Sequence, residues 1–112
     1  MHYDGFSIVT LSGQIGMDSE TGELVSDSVE KQAEQAMKNV KTLLEANGSN
    51  LQNIIKSALF ILDMEDFTAV DTVYKSFFDA DLPYPSRTAV AVHELPKYCK
   101  FEIQVEAYME DQ

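Results

Sequence analysis

Two segments in the last third of the chain carry residues that could bind and activate a small substrate. Pro85-Ser86-Arg87-Thr88 opens one apolar run, and Leu95-Pro96-Lys97 leads into Lys100-Phe101-Glu102-Ile103. Arg87 is the only arginine in a chain of net charge -11. Because a guanidinium can grip a carboxylate through two parallel hydrogen bonds, which a lysine cannot reproduce, Arg87 indicates a site for a small anionic ligand.

Arg87 and Glu102, the charged residues of these two segments, each also have an ordinary structural interpretation. A single arginine at the start of a strand is often part of a surface ion pair. Glu102 would then be a solvated strand carboxylate, since charged strand residues usually face water. We expect Arg87 and Glu102 to lie on neighbouring strands, which would bring the two charges to one region of the sheet.

The bulk composition predicts one globular domain, residues 1–112. With 45% hydrophobic and 24% charged residues, the chain is long enough for a single core. The longest apolar run, residues 58–62, is far too short to span a membrane. Residues 1–4 lack the pattern of a secretion signal. A single cysteine, Cys99, excludes an internal disulfide and favours a reducing, intracellular setting; we expect a cytoplasmic location, with a mitochondrial one left open.

The charge and the histidine pattern argue against several other classes of protein. The scattered lysines of so acidic a chain argue against nucleic-acid and anionic-membrane binding. His2 and His93, the only histidines, have no partners at metal-ligand spacing. Gly13 and Gly16 lack the further residues of a phosphate-binding loop. We therefore expect neither a zinc centre nor a phosphate-binding loop.

The hydrophobic periodicity predicts the order strand, helix, strand, helix, strand, strand. Residues 6–11, 54–62, 87–92 and 101–108 have strand character, and residues 16–23 form a loop. The first helix would have Asp27 as its N-cap, followed by Glu30, and would end at Asn47-Gly48. The second would be capped by Asp63 or Asp66. Its apolar face is expected to place Tyr74 in the core.

Two amphipathic helices can cover only one face of such a sheet. The last strand alternates cleanly, and its polar face carries Glu102, Gln104, Glu106 and Tyr108. A half-polar sheet face without helices over it is a natural subunit interface, so we expect a homo-oligomer.

Several ordered motifs resemble those of the Rid family, also called YjgF/YER057c/UK114, whose older label is L-PSP endoribonuclease. The segments that carry the resemblance run in order from about Phe6 to the last strand. They are Leu11-Ser12-Gly13-Gln14-Ile15, Thr21-Gly22-Glu23, Gln32, Asn39-Val40, residues 63–67, Pro85-Ser86-Arg87, Leu95-Pro96-Lys97 and Phe101-Glu102-Ile103.

The resemblance implies a chorismate-mutase-like α+β domain with a mixed sheet, two helices on one face, and a homotrimeric assembly with active sites between subunits. It also implies hydrolysis of 2-imino acids, such as 2-iminobutanoate and 2-iminopropanoate, or of their enamine tautomers, to 2-oxo acids and ammonia without a cofactor. Pyridoxal-phosphate enzymes that dehydrate serine or threonine release these reactive compounds.

The resemblance also assigns roles to individual residues. Arg87 would hold the substrate carboxylate, and Glu102 would orient or deprotonate the attacking water. Ser12 and Gly13 would line the cleft. Ala89 occupies the position where the deaminase branch commonly has a cysteine.

Three positions depart from the family pattern or call for a separate interpretation. The family's initial Gly-Pro-Tyr-Ser-Gln-like motif has no counterpart, Tyr3 does not align with its tyrosine, and we expect a shortened N-terminal strand. Asp71 stands where some members have asparagine, and its charge would disfavour an anionic substrate if it lies close. Cys99, between two lysines, is expected to be a surface thiol with a lowered pKa.

Two other functions remain open from the sequence. A protein of the same fold could bind small 2-oxo or 2-imino carboxylates without turnover. The ribonuclease or translation-inhibitor activity attached to the family is the other candidate, and the acidic composition speaks against it.

Overall fold

The fold is a mixed sheet with two helices packed on one face. A computed structural model describes the backbone of residues 2–3 and 6–110 and the side chains of residues 7–109. Met1, Asp4 and Gly5, which belong to the expected shortened first strand and to the segment tested for a signal, lie outside the described residues. The strands are β1 (His2–Tyr3), β2 (Phe6–Thr10), β3 (Gln14–Ile15), β4 (Ile54–Ile61), β5 (Ser86–Ala91) and β6 (Phe101–Glu110); the helices are α1 (Val29–Ala46) and α2 (Phe67–Ser76).

Helix α1 begins one residue later than the capping pattern indicated. Ser28, not Asp27, is the N-cap, and its side chain accepts a hydrogen bond from the Lys31 backbone N–H at 3.3 Å. Ser28 has the extended backbone that an N-cap requires, and its hydroxyl meets the first free amides of the helix. The helix ends where predicted, because Gly48 adopts a φ of 77° that continues no right-handed helix.

The two helices bury a single apolar core against the sheet. Along α1 the buried side chains recur at helical spacing: Val29, Gln32, Ala33, Ala36, Met37, Val40 and Leu44. From α2 the core receives Val70 and Tyr74, so the prediction for Tyr74 is confirmed. The sheet contributes alternate residues of β6, namely Phe101, Ile103, Val105 and Ala107.

The sheet is organised around the long strand β6. Its order is β1-β2-β6-β4-β5, and the short β3 pairs with β6 beside Glu102. Strands β4 and β5 run parallel and are joined through α2, whereas the other pairs are antiparallel. Strands β5 and β6 are therefore not neighbours, and the expectation that Arg87 and Glu102 lie on adjacent strands is wrong. The parallel partner of β5 is the apolar strand β4, which lies in the interior of the sheet between β5 and β6.

Cys99 also differs from its sequence-based interpretation. It is fully buried, and its Sγ lies 3.4 Å from the Phe101 carbonyl oxygen. Burial raises the pKa of the Cys99 thiol. The expected surface thiol with a lowered pKa is wrong, because the neighbouring Lys97 and Lys100 remain exposed while the cysteine turns into the core.

The described part of the chain, residues 2–3 and 6–110, contains no helix with the length and apolar character needed to cross a membrane.

Candidate active site

Arg87 lies on the face of the sheet that packs against α2. It is opposite Ser57 in the parallel register of β4 and β5, and Ser57 is buried. Its Nη1 donates a hydrogen bond to Oδ1 of Asp71 on α2. Oδ2 of the same carboxylate lies 3.1 Å from Nζ of Lys75, one turn further along the helix. Asp71 thus pairs with two cations, Arg87 and Lys75. It lies close to the proposed carboxylate anchor, which is the arrangement in which its negative charge would disfavour an anionic substrate.

Aromatic rings hold the Arg87 guanidinium in place. Its Cζ lies 5.2 Å from the centre of the Phe67 ring and 5.6 Å from that of Tyr74. Both distances suit a cation–π contact. Since the Arg87 side chain is only 25% exposed, these rings also limit its solvation. The guanidinium is therefore fixed by one carboxylate and two rings.

A pocket of about 300 Å³ opens beside this group. Its lining residues are Tyr74, Lys75, Tyr84, Pro85 and Arg87. Nζ of Lys75 lies 5.7 Å from the centre of the Tyr84 ring. Two cations and two aromatic rings therefore border a space large enough for a small organic acid.

Tyr74 lines this pocket and is buried in the core. Its hydroxyl donates to Oγ of the buried Ser57 at 2.9 Å. Burial raises the pKa of Tyr74, against the opposing effects of the hydrogen bond to Ser57 and the positive charge of Arg87. Tyr74 accordingly remains a neutral wall at physiological pH.

Glu102 lies in a second pocket, of about 320 Å³. It is opposite Ile15 in the β3–β6 pairing, and Gly13 precedes that strand. A side chain at Gly13 would overlap the Glu102 carboxylate, so the observed position of that carboxylate requires glycine at residue 13. No other described residue forms a hydrogen bond or ion pair with the Glu102 side chain. The pocket lining is Gly13, Gln14, Ile15, Met17, Asn39, Pro96, Lys97 and Glu102.

Two amides of α1 shape the loops around Glu102. Nδ2 of Asn39 donates to the Ile15 and Met17 carbonyl oxygens at 3.1 and 3.0 Å, which holds the β3 segment against the helix. Gln32 is 1% exposed; its Nε2 donates to the Ser26 carbonyl at 2.8 Å, and its Oε1 accepts from the Lys100 backbone N–H at 2.7 Å. Both family-motif residues therefore have structural roles next to the pocket.

Arg87 and Glu102 point to opposite faces of the sheet. In the register across β5, β4 and β6, Arg87 aligns with Ser57 and Val105, which face the helices. Glu102 aligns with Phe60 and alternates with the buried Phe101 and Ile103, so it faces away from the helices. The pair is also separated by the whole of β4. One chain therefore does not bring these two residues to one small ligand.

Ser12 and Ala89, two other predicted site residues, are in the lining of neither pocket. Ser12 is exposed, and its carbonyl oxygen accepts from Nε2 of Gln14 at 3.0 Å. Ala89 shares the helix-facing side of β5 with Arg87 and packs against the core. Of the predicted set, only Gly13 and Glu102 border the same pocket.

Sequence reasoning assigned no site role to several residues that border the pockets, Lys75, Tyr84 and Lys97 among them. Lys75 is four residues after Asp71, a spacing at which opposite charges pair on a helix, and this signal was available. Lys97 belongs to the Leu95-Pro96-Lys97 motif that carried the family resemblance, whereas Tyr84 gave no comparable local signal. In the described residues, no three side chains of His, Cys, Asp or Glu come together in a way that would hold a metal ion.

Comparisons with known proteins place the chain in a family. Residues 5–109 match the family model described as Endoribonuclease L-PSP. The 2-iminobutanoate/2-iminopropanoate deaminase of Dermatophagoides farinae is 42% identical over 86% of this chain and 73% of its own length. The human protein of the same name is 39% identical over 88% of this chain and 71% of its own length.

Solved structures agree with this relationship. The crystal structure of RidA from the Antarctic bacterium Psychrobacter is 37% identical, with a TM-score of 0.86, over 91% of this chain and 80% of that one. E. coli TdcF, solved with bound serine, is 42% identical, with a TM-score of 0.84, over 90% and 80% of the two chains. The expected family and α+β fold are therefore confirmed: the chain belongs to the Rid (YjgF) family, the family described as Endoribonuclease L-PSP.

Proposed function

We propose that this protein hydrolyses 2-imino acids, 2-iminobutanoate and 2-iminopropanoate among them, to the corresponding 2-oxo acids and ammonia. The observation that carries the proposal is the identity of about 40% to relatives that bear this activity as their name, over more than four fifths of the chain. The Arg87 pocket supports it, because it offers cationic donors and a volume suited to a small carboxylic acid.

Arg87 would anchor the substrate carboxylate. Its Nη1 is engaged by Asp71, while no other described residue accepts a hydrogen bond from Nε or Nη2. These donors can grip a carboxylate and so place the adjacent imine carbon at a defined point.

Glu102 would orient and deprotonate the attacking water. The water oxygen bonds to the imine carbon, and the proton passes through the carboxylate to the nitrogen. The hydroxyl proton of this carbinolamine then passes to the amino nitrogen, again through the carboxylate, and the C–N bond breaks to release ammonia as the C=O bond of the 2-oxo acid forms. This step consumes one water and needs no electron acceptor, so the proposal includes no cofactor.

The two residues would meet only between copies of the chain. Because Arg87 and Glu102 face opposite sides of one sheet, a complete site requires Arg87 of one copy and Glu102 of another. The helix-free face of the sheet, with Glu102, Gln104 and Glu106 on β6, offers a surface for such an assembly. We propose a homotrimer with inter-subunit sites, in which Gly13 borders the cleft near Glu102, and Ser12, next to Gly13, and Ala89, two residues after Arg87, are further substrate-binding positions.

A cytoplasmic location and a small 2-imino or 2-oxo carboxylate as the partner belong to the same proposal. The high net negative charge of -11 disfavours the rival ribonuclease activity, since RNA binding relies on clustered cations. A binding protein without turnover would share the Arg87 pocket, so only an assay of turnover separates it from an enzyme.

A coupled assay tests the proposal. A threonine dehydratase generates 2-iminobutanoate in the presence of semicarbazide, and the protein should suppress formation of the semicarbazone. Arg87→Ala should abolish the suppression while circular dichroism shows a folded protein, and Arg87→Lys should recover it only in part. Lys41→Ala, which removes an exposed cation on α1, is the matched control and should behave as the wild type.

Absence of suppression by the folded wild-type protein would refute the deaminase proposal. Retention of full activity by Arg87→Ala would refute the anchoring role. Light scattering after size-exclusion chromatography measures the assembly separately, and an active monomer would contradict the shared site.

A further inference from the structure

Two positive charges and one negative charge surround the Arg87 pocket, and the negative charge is ion-paired with both positive ones. Arg87 and Lys75 border the pocket, whereas Asp71 is absent from its lining and pairs with both of them from behind. The Asp71 side chain is only 18% exposed. A ligand would therefore contact the two cations and not the carboxylate, although it would feel the charge of all three.

Lys75 retains hydrogen-bonding capacity toward the pocket. An ammonium has three N–H donors, and among the described residues Lys75 forms a single ion pair, to Oδ2 of Asp71 at 3.1 Å. Its Nζ is also held 5.7 Å from the centre of the Tyr84 ring. Lys75 and Arg87 can thus both donate hydrogen bonds to the carboxylate of one bound ligand.

The fixed charge of the pocket determines how many carboxylates a ligand can bring. Two cations against one carboxylate leave a single positive charge, which one ligand carboxylate balances. A second carboxylate would meet no uncompensated cation from α2 or β5, and it would be repelled by Asp71. In the proposed assembly, Glu102 of a second copy would also repel a second carboxylate of the ligand.

We propose that Asp71 is a specificity-determining residue that selects ligands with one carboxylate over ligands with two, and that Lys75 is a second contact for that single carboxylate. The inference rests on the proposed function in taking Arg87 as the carboxylate anchor. Asp71 acts through charge and through its hold on two cations, without touching the ligand. The ligand class is a small 2-imino or 2-oxo monocarboxylic acid.

Binding measurements test the inference without any need for turnover. Titration calorimetry at low ionic strength gives the dissociation constants of 2-oxobutanoate, with one carboxylate, and of 2-oxoglutarate, with two. The wild type should bind 2-oxobutanoate more tightly. In Asp71→Asn the preference ratio should move toward 2-oxoglutarate by about fivefold, as expected for one charge at this range, and the change should shrink in high salt.

Three further variants control for other causes. Lys75→Gln should weaken 2-oxobutanoate binding and move the ratio in the opposite direction, which keeps the test valid if Asp71→Asn fails to fold. Asp71→Glu keeps the charge and should keep the preference. Glu20→Gln removes one charge from an exposed loop residue and should change nothing, which separates the pocket charge from the net charge of the protein.

An unchanged ratio in Asp71→Asn or in Lys75→Gln would overturn the inference. The turnover assay reads the proposed function independently: suppression of the semicarbazone with an unchanged ratio refutes this inference alone. A shifted ratio without suppression refutes the deaminase activity alone. If no variant binds either acid, Arg87 is not a carboxylate anchor and the inference falls.

Discussion

The Tyr74 hydroxyl donates to Oγ of Ser57 at 2.9 Å, which links helix α2 to strand β4 at the residue opposite Arg87. Both side chains are 1% exposed, so neither hydroxyl can exchange its partner for water. Because Arg87 is opposite Ser57 in the sheet register and stacks near the Tyr74 ring, this buried pair supports the anchor.

We expect Tyr74→Phe to lower the free energy of unfolding by about 1–2 kcal/mol, because it leaves the buried Ser57 hydroxyl without a partner. Ser57→Ala should cost a similar amount for the same reason. The double variant should lose clearly less free energy of unfolding than the two single variants together, since removal of both hydroxyls leaves no buried polar group without a partner. Urea denaturation of the four proteins measures this coupling, and additive losses would contradict a functional hydrogen bond.

Alkaline pH should weaken the contribution of Tyr74. Burial raises its pKa, so above the ordinary tyrosine pKa, about 10, the unfolded chain loses the phenolic proton while the folded protein keeps it. The unfolded state then binds fewer protons, and the free energy of unfolding falls as pH rises.

The Tyr74→Phe variant lacks this ionisation. The difference in unfolding free energy between wild type and variant should therefore be fully present below pH ~10 and should shrink above it. Chemical denaturation at a series of pH values tests this expectation. A difference that grows with increasing pH would show that the folded state stabilises the phenolate.

Two glycines near Glu102 should respond differently to alanine. At Gly16 a Cβ would lie 2.5 Å from the Gln32 Cα and carbonyl oxygen, and the backbone of a buried helix cannot give way. Gly16→Ala should therefore destabilise the protein by about 1–3 kcal/mol. At Gly13 the obstacle is the Glu102 carboxylate at the end of a flexible side chain, which can move aside.

Gly13→Ala should consequently leave the melting temperature nearly unchanged but displace Glu102 and reduce imine hydrolysis at least tenfold, since misplacement of a reacting group is costly. Thermal unfolding and the semicarbazone assay on both variants distinguish the two cases. Full activity in a folded Gly13→Ala protein would exclude a position-sensitive role for Glu102.

The turn before β6 contains a position, Tyr98, at which a glycine substitution should stabilise the fold. Lys97 and Tyr98 have φ values of 57° and 56°, and the Tyr98 side chain is 85% exposed. Left-handed backbone costs a non-glycine residue about 1 kcal/mol, and little packing is lost here. Tyr98→Gly should raise the free energy of unfolding by up to about 1 kcal/mol, measured by urea denaturation against Tyr98→Ala, which keeps the strain. A lower stability for glycine than for alanine would mean that the turn is not strained.

Much of the secondary structure was predictable from local patterns. The two-residue alternation in β6 correctly identified its buried side chains, and the 3.6-residue spacing in α1 did so except at Leu43, which is exposed, and Gln32, which is buried, because each pattern reports which face of one element meets the core. Capping was less certain. Asp27 and Ser28 are both good caps, and only the path of the chain into α1 decided between them.

The sequence by itself determined the element types, the amphipathic faces, the family and the acidic charge, since all of these depend on residue type and on spacing along the chain. The tertiary structure decided that β4 separates β5 from β6, that Arg87 and Glu102 face opposite sides, and that Asp71 and Lys75 surround the anchor. These relationships join residues distant in sequence through strand pairing and helix docking, and those interactions leave no periodic signal in either partner alone.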